Sequence, residues 1–444
     1  MPEPGYDLQV STPDLTVPRT GRLPGFRAGF VALAVYAGLI VVAHLLGTAL
    51  AASGQRLALG APPLFGELEP RISIRIVPAV LIAATVVAWG HRAAFRLSWK
   101  GLLWASFVGA AVWAVALAAA DGWGALTAPM ANPLEAFAFL PHAGDLTDFV
   151  NSFTSRIAGF PIHVQGHPPG LVVLLGALKA IGLTAPGIVA ALYIATGASV
   201  VPAVLVAAKS VSGEDLARTA APWLVLAPFA VWIATSADAL YAGVAAWAVA
   251  LIISADPDRW LKALGGGVLF GCALFLTYGA AALAVVPAAV ALARRNLKPL
   301  LYAGAGASLV VLLFALFGFW WPEGLMATRV QYYAGIGGLR PYPYFLIANL
   351  AALAIACGPA AIRGMIRTEA PFDKGRLLFL SALVAVAAAN LSGLSKGEVE
   401  RIWLLFTPWL VLAAAWIGPQ VRRWWLGASA ATAIAVQALV MSPW

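Results

Sequence analysis

The chain has 444 residues, of which 61% are apolar and 11% charged, against roughly 45–50% and 25% in an ordinary soluble domain. A chain so poor in polar groups cannot cover itself in water, which excludes a soluble globular fold. The formal net charge of +9 is not gathered on a polar domain; it lies in short clusters between apolar blocks, the pattern of the positive-inside rule and not of nucleic-acid binding.

Residues 1–26 are polar and rich in proline, with no apolar core near the start. They read as a disordered cytoplasmic tail ahead of a transmembrane domain over 27–444, because a cleavable signal needs such a core. Apolar blocks such as 101–120 and 300–322 each come close to the ~20 residues that cross ~30 Å of hydrocarbon. Basic clusters punctuate these blocks: Arg19, Arg22 and Arg27; Arg92, Arg96 and Lys100; Lys209 and Arg218; Arg259 and Lys262; Arg294, Arg295 and Lys298; Arg363, Arg367, Lys374 and Arg376; Arg422 and Arg423. Placing all of them in the cytoplasm requires an even number of spans between successive clusters.

Two stretches need a choice. The charge-free run 263–292 has basic residues at both ends, so two short passes turning at Thr277-Tyr278-Gly279 are expected. The run 167–183 is expected as an amphipathic helix on the outer membrane face, opened by Pro168-Pro169. The resulting fold is all-α and polytopic. It has about 13 transmembrane helices, with the N-terminus inside and the C-terminus outside. Cys272 and Cys357 fall within apolar runs, where thiols behave as small hydrophobes.

Chemistry is expected where polar groups persist at the outer surface. The outer loop 121–186 holds the densest polar segment, 141–170, with His142, Asp145, Asp148, Arg156, His163 and His167. A carboxylate there can act as the general base that takes a proton from an acceptor hydroxyl. Asp145, Asp148 and Asp121, which ends a span, are the rival candidates for that base. A divalent metal stays open as a cofactor, since His163 and His167 share a face if the segment is helical. Pro161, Gly166 and Pro168 crowd that pair, and no Glu follows His163.

A burst of charge follows at 392–403, where Lys396, Glu398, Glu400 and Arg401 stand at the outer face against the positive-inside trend. Buried charges need a partner or a task, so these four are expected to bind substrate. The segment 320–344, with Arg329, Tyr332 and Arg340, reads either as an interfacial aromatic belt or as a sugar-stacking surface with Arg gripping phosphate. Glu67 and Glu69 are weaker candidates, because Arg71 and Arg75 stand beside them.

The segment 141–170 resembles the outer loop of the GT-C superfamily of membrane glycosyltransferases, notably protein O-mannosyltransferases and lipid A aminoarabinose transferases. In that superfamily an acidic motif opens the first large loop and a His-Pro-Pro-Leu motif starts a juxtamembrane helix. Here Asp145 and Asp148 stand near the acidic position, and His167-Pro168-Pro169-Gly170 matches the second motif except at Gly170. The order continues through a span, a Gly-containing basic turn at 209–218, a span with Pro228 and an outward Ser236-Ala237-Asp238.

Two features depart from the pattern. The loop follows the third span instead of the first, and the two acids are not adjacent. The resemblance implies transfer of a sugar from a polyprenyl-phosphate donor to a glycan, lipid or protein acceptor in the cell envelope. The site would lie on the extracytoplasmic side of the plasma membrane of a GC-rich bacterium, among membrane lipids. His163, His167, Asp238, Arg329, Tyr332, Arg340, Lys396, Glu398, Glu400 and Arg401 would contact the substrates. The alternative is a transporter or flippase of lipid-linked glycans.

Overall fold

A computed structural model describes residues 24–442 except 235, 257 and 367–373. The expected tail therefore lies outside the described residues up to 23, as does Arg367. The described chain is helical almost throughout. Two-residue strands Glu67–Leu68 and Val440–Met441 pair antiparallel and join the first long loop to the end of the last helix.

Five helices are long and apolar enough to cross a membrane: Arg27–Ala52, Ile74–Arg96, Trp99–Asp121, Pro186–Ser212 and Lys298–Leu316. Counting two bent helix pairs as one span each raises the number to seven. Several of these helices turn large apolar side chains outward, such as Phe30 and Leu45 on the first and Leu301, Leu309 and Leu316 on the fifth. Apolar patches of that extent are rare on proteins surrounded by water, and lipid is the solvent that suits them.

Small residues let the helices approach. Trp260–Leu276 crosses Lys298–Leu316 at Gly267 and Gly306, where an added Cβ would run into the carbonyls of Ala303 and Leu264. With no water to drive helix pairing in a bilayer, close backbone packing of this kind holds such helices together. Gly267 and Gly271 also share the four-residue spacing that puts both on one helix face.

The structure shows the break and the helix expected in these two stretches. Trp260–Leu276 ends at Thr277, and the chain resumes as Ala280–Leu283 and Val285–Ala293. Lys262 Nζ reaches the carbonyl of Ser254 (2.9 Å) and Arg294 Nη1 that of Ile253 (2.6 Å), so the run leaves and returns to the same end of the molecule. After Pro168-Pro169 comes the helix Gly170–Ala180, as expected. Gly170 stands where the resemblance calls for Leu, and the reason is steric. A Cβ at this position would collide with the backbone of Phe275.

The basic clusters meet at one end. Arg218 bonds Glu214 and the carbonyls of Ala94 and Leu97, and Lys209 pairs with the same Glu214. Arg294 bonds Ser210, and Arg423 reaches the carbonyl of Ala88. The turn between the helices Val200–Ser212 and Glu214–Val225 runs through Gly213 at φ 93, a conformation that only glycine adopts without strain.

Candidate functional site

The long loop after Trp99–Ala118 is a chain of short helical turns over 119–169. A knot of aromatic rings anchors it: Phe139, Phe149, Phe153 and Phe160 lie 5.4–6.0 Å apart, and Phe153 meets Phe319 edge-on at 5.5 Å. With the rings turned inward, Glu135 and His163 are left facing the helices. Asp145 and Asp148 are left facing solvent.

His163 is the hinge of a polar cluster. Its Nδ1 lies 2.7 Å from Glu135 Oε1, and its Nε2 lies 3.3 Å from Nη2 of Arg401. Because a guanidinium can only donate, this geometry fits a neutral ring with its proton on Nδ1, donating to Glu135 and accepting from Arg401. Arg401, only 5% exposed, also bonds Asp238 Oδ2 at 2.6 Å and Glu398 Oε2 at 2.9 Å. Ser236 Oγ donates to the same Asp238 oxygen at 2.8 Å. His167 lies against Tyr241 with ring centres 5.1 Å apart, and its Nδ1 is shielded from solvent without a hydrogen-bond partner among the described residues. Burial holds the His167 imidazole below its ordinary titration range, against the pull of Asp238.

The second half of the cluster is built from an unwound segment. Gly397 (φ 87) and Glu398 (φ 61) both adopt left-handed backbone just before the helical turn Val399–Ile402. For Glu398 that conformation costs roughly 1–2 kcal/mol, and such strain persists where surrounding contacts over-determine it. Those contacts are present. Asn349 bonds the Gly397 N–H (3.1 Å) and the Ser395 carbonyl (2.7 Å), and Asn390 braces Asn349 at 2.9 Å. Burial would raise the Glu398 carboxyl, but Arg401 and Arg340 outweigh it and hold the group below the usual carboxylate range.

Arg340 closes the cluster from above. It bonds Glu398 at 3.4 Å, the carbonyl of Lys396, and the carbonyls of Leu57 (2.9 Å) and Ala58 (3.3 Å) in the first loop. Lys396 Nζ is spent on the carbonyls of Gly337 (2.7 Å) and Arg340 (3.2 Å). Tyr332 accepts from the Lys396 N–H at 2.9 Å, and burial pushes its phenol up to about 12. Glu400 is fully buried; Oε1 accepts from the Phe65 N–H at 2.8 Å, and Oε2 has no partner among the described residues.

Of the thirteen residues singled out in the sequence, His163, Asp238, Glu398 and Arg401 form one hydrogen-bonded group, with Arg340, Lys396 and Tyr332 joined to it through Glu398 and the unwound segment, while His167 packs against Tyr241. Glu400 sits on that segment but turns toward Phe65.

The remaining four lie elsewhere. Asp145 caps the helix Leu146–Asn151, accepting from the N–H groups of Thr147 (2.8 Å) and Asp148 (3.1 Å). Asp148 is exposed in the first turn of that helix. Asp121 is clamped by Arg71 and by Gln437 at 2.8 Å, where the first loop meets the last helix. Arg329 is exposed, its guanidinium 6.0 Å from the Tyr333 ring.

Glu135 and Tyr241 belong to the site and escaped the sequence reading. Glu135 is a lone acid in the stretch Asn132 to Phe139, a signal that was available. Tyr241 is indistinguishable in sequence from a packed core residue. Among the described residues no group of three or more His, Cys, Asp or Glu is placed to hold a metal ion.

No protein-family model, curated protein or solved structure matches the chain.

Proposed function

We propose that the chain is a GT-C-type membrane glycosyltransferase that moves a sugar from a polyprenyl-phosphate donor to an extracytoplasmic acceptor, with the Glu135–His163–Arg401–Asp238 cluster at its centre. The observation that carries this reading is the convergence of His163, from the loop bearing the resemblance, with Asp238 and Arg401, which lie 75 and 238 positions from His163 in the chain. A sugar phosphate is a good leaving group, so the site needs a carboxylate or imidazole against the acceptor hydroxyl and cations on the phosphate. Glu135 with His163 supplies the first, and Arg401 the second.

The shorter apolar helices, such as Asp238–Ile253, Gly375–Leu391 and Trp260–Leu276, complete the proposed set of about 13 spans. The basic clusters then face the cytoplasm and the site faces outward across the plasma membrane.

A direct test measures transfer from a panel of polyprenyl-phosphate hexoses and pentoses, radiolabelled in the sugar, to membranes of the host by the reconstituted protein. Glu135→Gln is expected to lower transfer at least a hundredfold, within the range of lost acid–base catalysis. Asp145→Asn, still a good helix cap, is expected to leave it near wild type. The opposite pattern moves the chemistry back to the solvent-exposed acids.

One observation favours the second reading, a transporter or flippase of lipid-linked glycans. The pairs Tyr342–Cys357 with Pro359–Met365 and Val399–Leu405 with Thr407–Trp416 are bent by 101° and 81°, and broken helices often build transport sites. Movement of a fluorescent polyprenyl-phosphate sugar across proteoliposomes, without transfer, would select it.

A further inference from the structure

A cavity of about 280 Å³ opens at the basic end of the molecule, between the last turns of Asp238–Ile253 and Val285–Ala293 and the start of Lys298–Leu316. Asp238 of the polar cluster and Ile253 of this cavity stand at the two ends of one 16-residue helix, which is about 24 Å long. The cavity's inner wall is apolar, formed by the buried side chains of Ile252, Pro287 and Val290. Toward solvent stand Asp256 and Arg294, with Ser210 and Asn296 half-buried. The volume falls just below the roughly 300–1,000 Å³ of pockets that enclose a whole drug-sized ligand. It suits a small group whose remainder stays outside.

The charge around the cavity is positive. Arg259, Lys262, Arg294, Arg295 and Lys298 stand against Asp256 and Asp258, and Asp256 already turns to Arg259 at 3.5 Å. Lys262 is spent on the carbonyl of Ser254. Arg294 donates to the carbonyls of Ile253 and Ser210 and to Ser210 Oγ (3.1 Å), which uses three of the five N–H groups of a guanidinium. Arg295 and Lys298 are exposed, and their side chains make no hydrogen bond or ion pair among the described residues. Pro299 and Leu300, in the first turn of a 19-residue helix, line the cavity as well, and the field of that helix end favours an anion further.

Lipid reaches the same place. Leu297 and Leu301, one helical turn apart and adjoining the lining residues Pro299 and Leu300, are 50% and 71% exposed. Trp260 and Tyr302, both partly exposed, meet with ring centres 6.3 Å apart, and such amphipathic rings settle at the level of the headgroups. We propose that the cavity binds the phosphodiester headgroup of an anionic phospholipid of the surrounding leaflet. Arg294, Arg295 and Lys298 supply the positive charge, and the acyl chains run along Leu297 and Leu301. Basic pockets between membrane helices on the cytoplasmic side take such headgroups. A zwitterionic lipid brings its own ammonium to the phosphate and gains less from these cations. The site stands apart from the transferase reading, whose residues lie at the other end of Asp238–Ile253.

The experiment measures binding of a fluorescent phosphatidylglycerol to the full-length protein in nonionic detergent, read by energy transfer from tryptophan. Unlabelled dioleoyl phosphatidylglycerol, dioleoyl phosphatidylcholine and soluble glycerol 1-phosphate serve as competitors. Phosphatidylglycerol is expected to compete at least about tenfold more strongly than phosphatidylcholine, because three cations act on its net charge. Glycerol 1-phosphate, which has no acyl chains, is expected to compete far more weakly than either lipid. Asn296→Asp keeps the acceptor for the Lys298 N–H (3.2 Å) but adds a negative charge. It is expected to weaken phosphatidylglycerol roughly fivefold, the weight of one unit charge near an anionic headgroup. Arg295→Gln/Lys298→Gln, two exposed side chains, is expected to weaken it roughly twenty-five-fold, two such steps. Lys100→Gln, in another basic cluster of the same end, is expected to leave it unchanged.

Equal competition by phosphatidylcholine overturns the proposal, as does equal weakening by Lys100→Gln and Asn296→Asp. Competition by glycerol 1-phosphate as strong as that of phosphatidylglycerol assigns the cavity to a soluble phosphate and overturns the lipid occupant. The competition series needs only the wild-type protein, so a poorly folding variant does not block the answer.

Discussion

At the scale of single residues, Arg401 carries the most weight. It is buried against two carboxylates and an imidazole, so its removal leaves Asp238, itself 4% exposed, as an unpaired buried charge. Breaking a buried ion pair from one side costs about 3–5 kcal/mol, whereas removing both partners is often nearly neutral. Arg401→Gln is therefore expected to lower the melting temperature in detergent well below that of Arg401→Gln/Asp238→Asn. If the double variant melts no higher than the single one, Asp238 is not the partner that matters. Its burial couples any effect of Arg401→Gln on activity to an effect on stability. Lys396 and Arg340, the other cations of the cluster, already donate to backbone carbonyls, which fits scaffold positions better than phosphate contacts.

Among the helices, the glycine contacts decide which elements lie against each other. Gly267 and Gly306 bring Trp260–Leu276 and Lys298–Leu316 to backbone contact. Gly170 does the same for the start of Gly170–Ala180 against Phe275. Overpacking such a contact costs typically about 1–3 kcal/mol. Gly267→Val is expected to destabilise the protein by that amount in a detergent melt, while Gly304→Val, on the same partner helix with open space around it, is expected to change the melt little. Equal effects from the two would remove the close-approach argument.

For the whole molecule, the chain is polarised. Hydrogen bonds of Arg218, Arg294 and Arg423 join the basic clusters to one another at one end. Asp121, Arg71 and Gln437 meet in a separate group where the first loop joins the last helix. With the basic end in the cytoplasm, cysteines at Thr147 and Ser392 are expected to react with an impermeant thiol reagent in intact cells. Cysteines at Lys100 and Asp258 are expected to be protected, all in a background with Cys272 and Cys357 replaced by Ala. These four positions are exposed. Gly337 and Gly393 are poor reporters, since a Cβ there meets Tyr332 or Tyr333. Labelling at Lys100 with protection at Ser392 would invert the orientation.

Sequence alone determined the features that depend on composition and order. The apolar blocks require lipid, the break at Thr277 follows from basic residues at both ends of one run, and the charges at 396–401 stand out because little else near them is polar. Those signals are local, and local physics is legible in a chain. Which polar residues share a site is not local. Glu135, Asp238 and Arg401 meet only because an aromatic knot turns the outer loop inward and an unwound segment at Gly397-Glu398 aims Arg401 back at it. Asp145 looked like a base by its spacing from the His-Pro-Pro motif, yet the fold uses it as a helix cap. A carboxylate's task is set by what tertiary packing places within about 3 Å of it, and that information is spread over the whole chain.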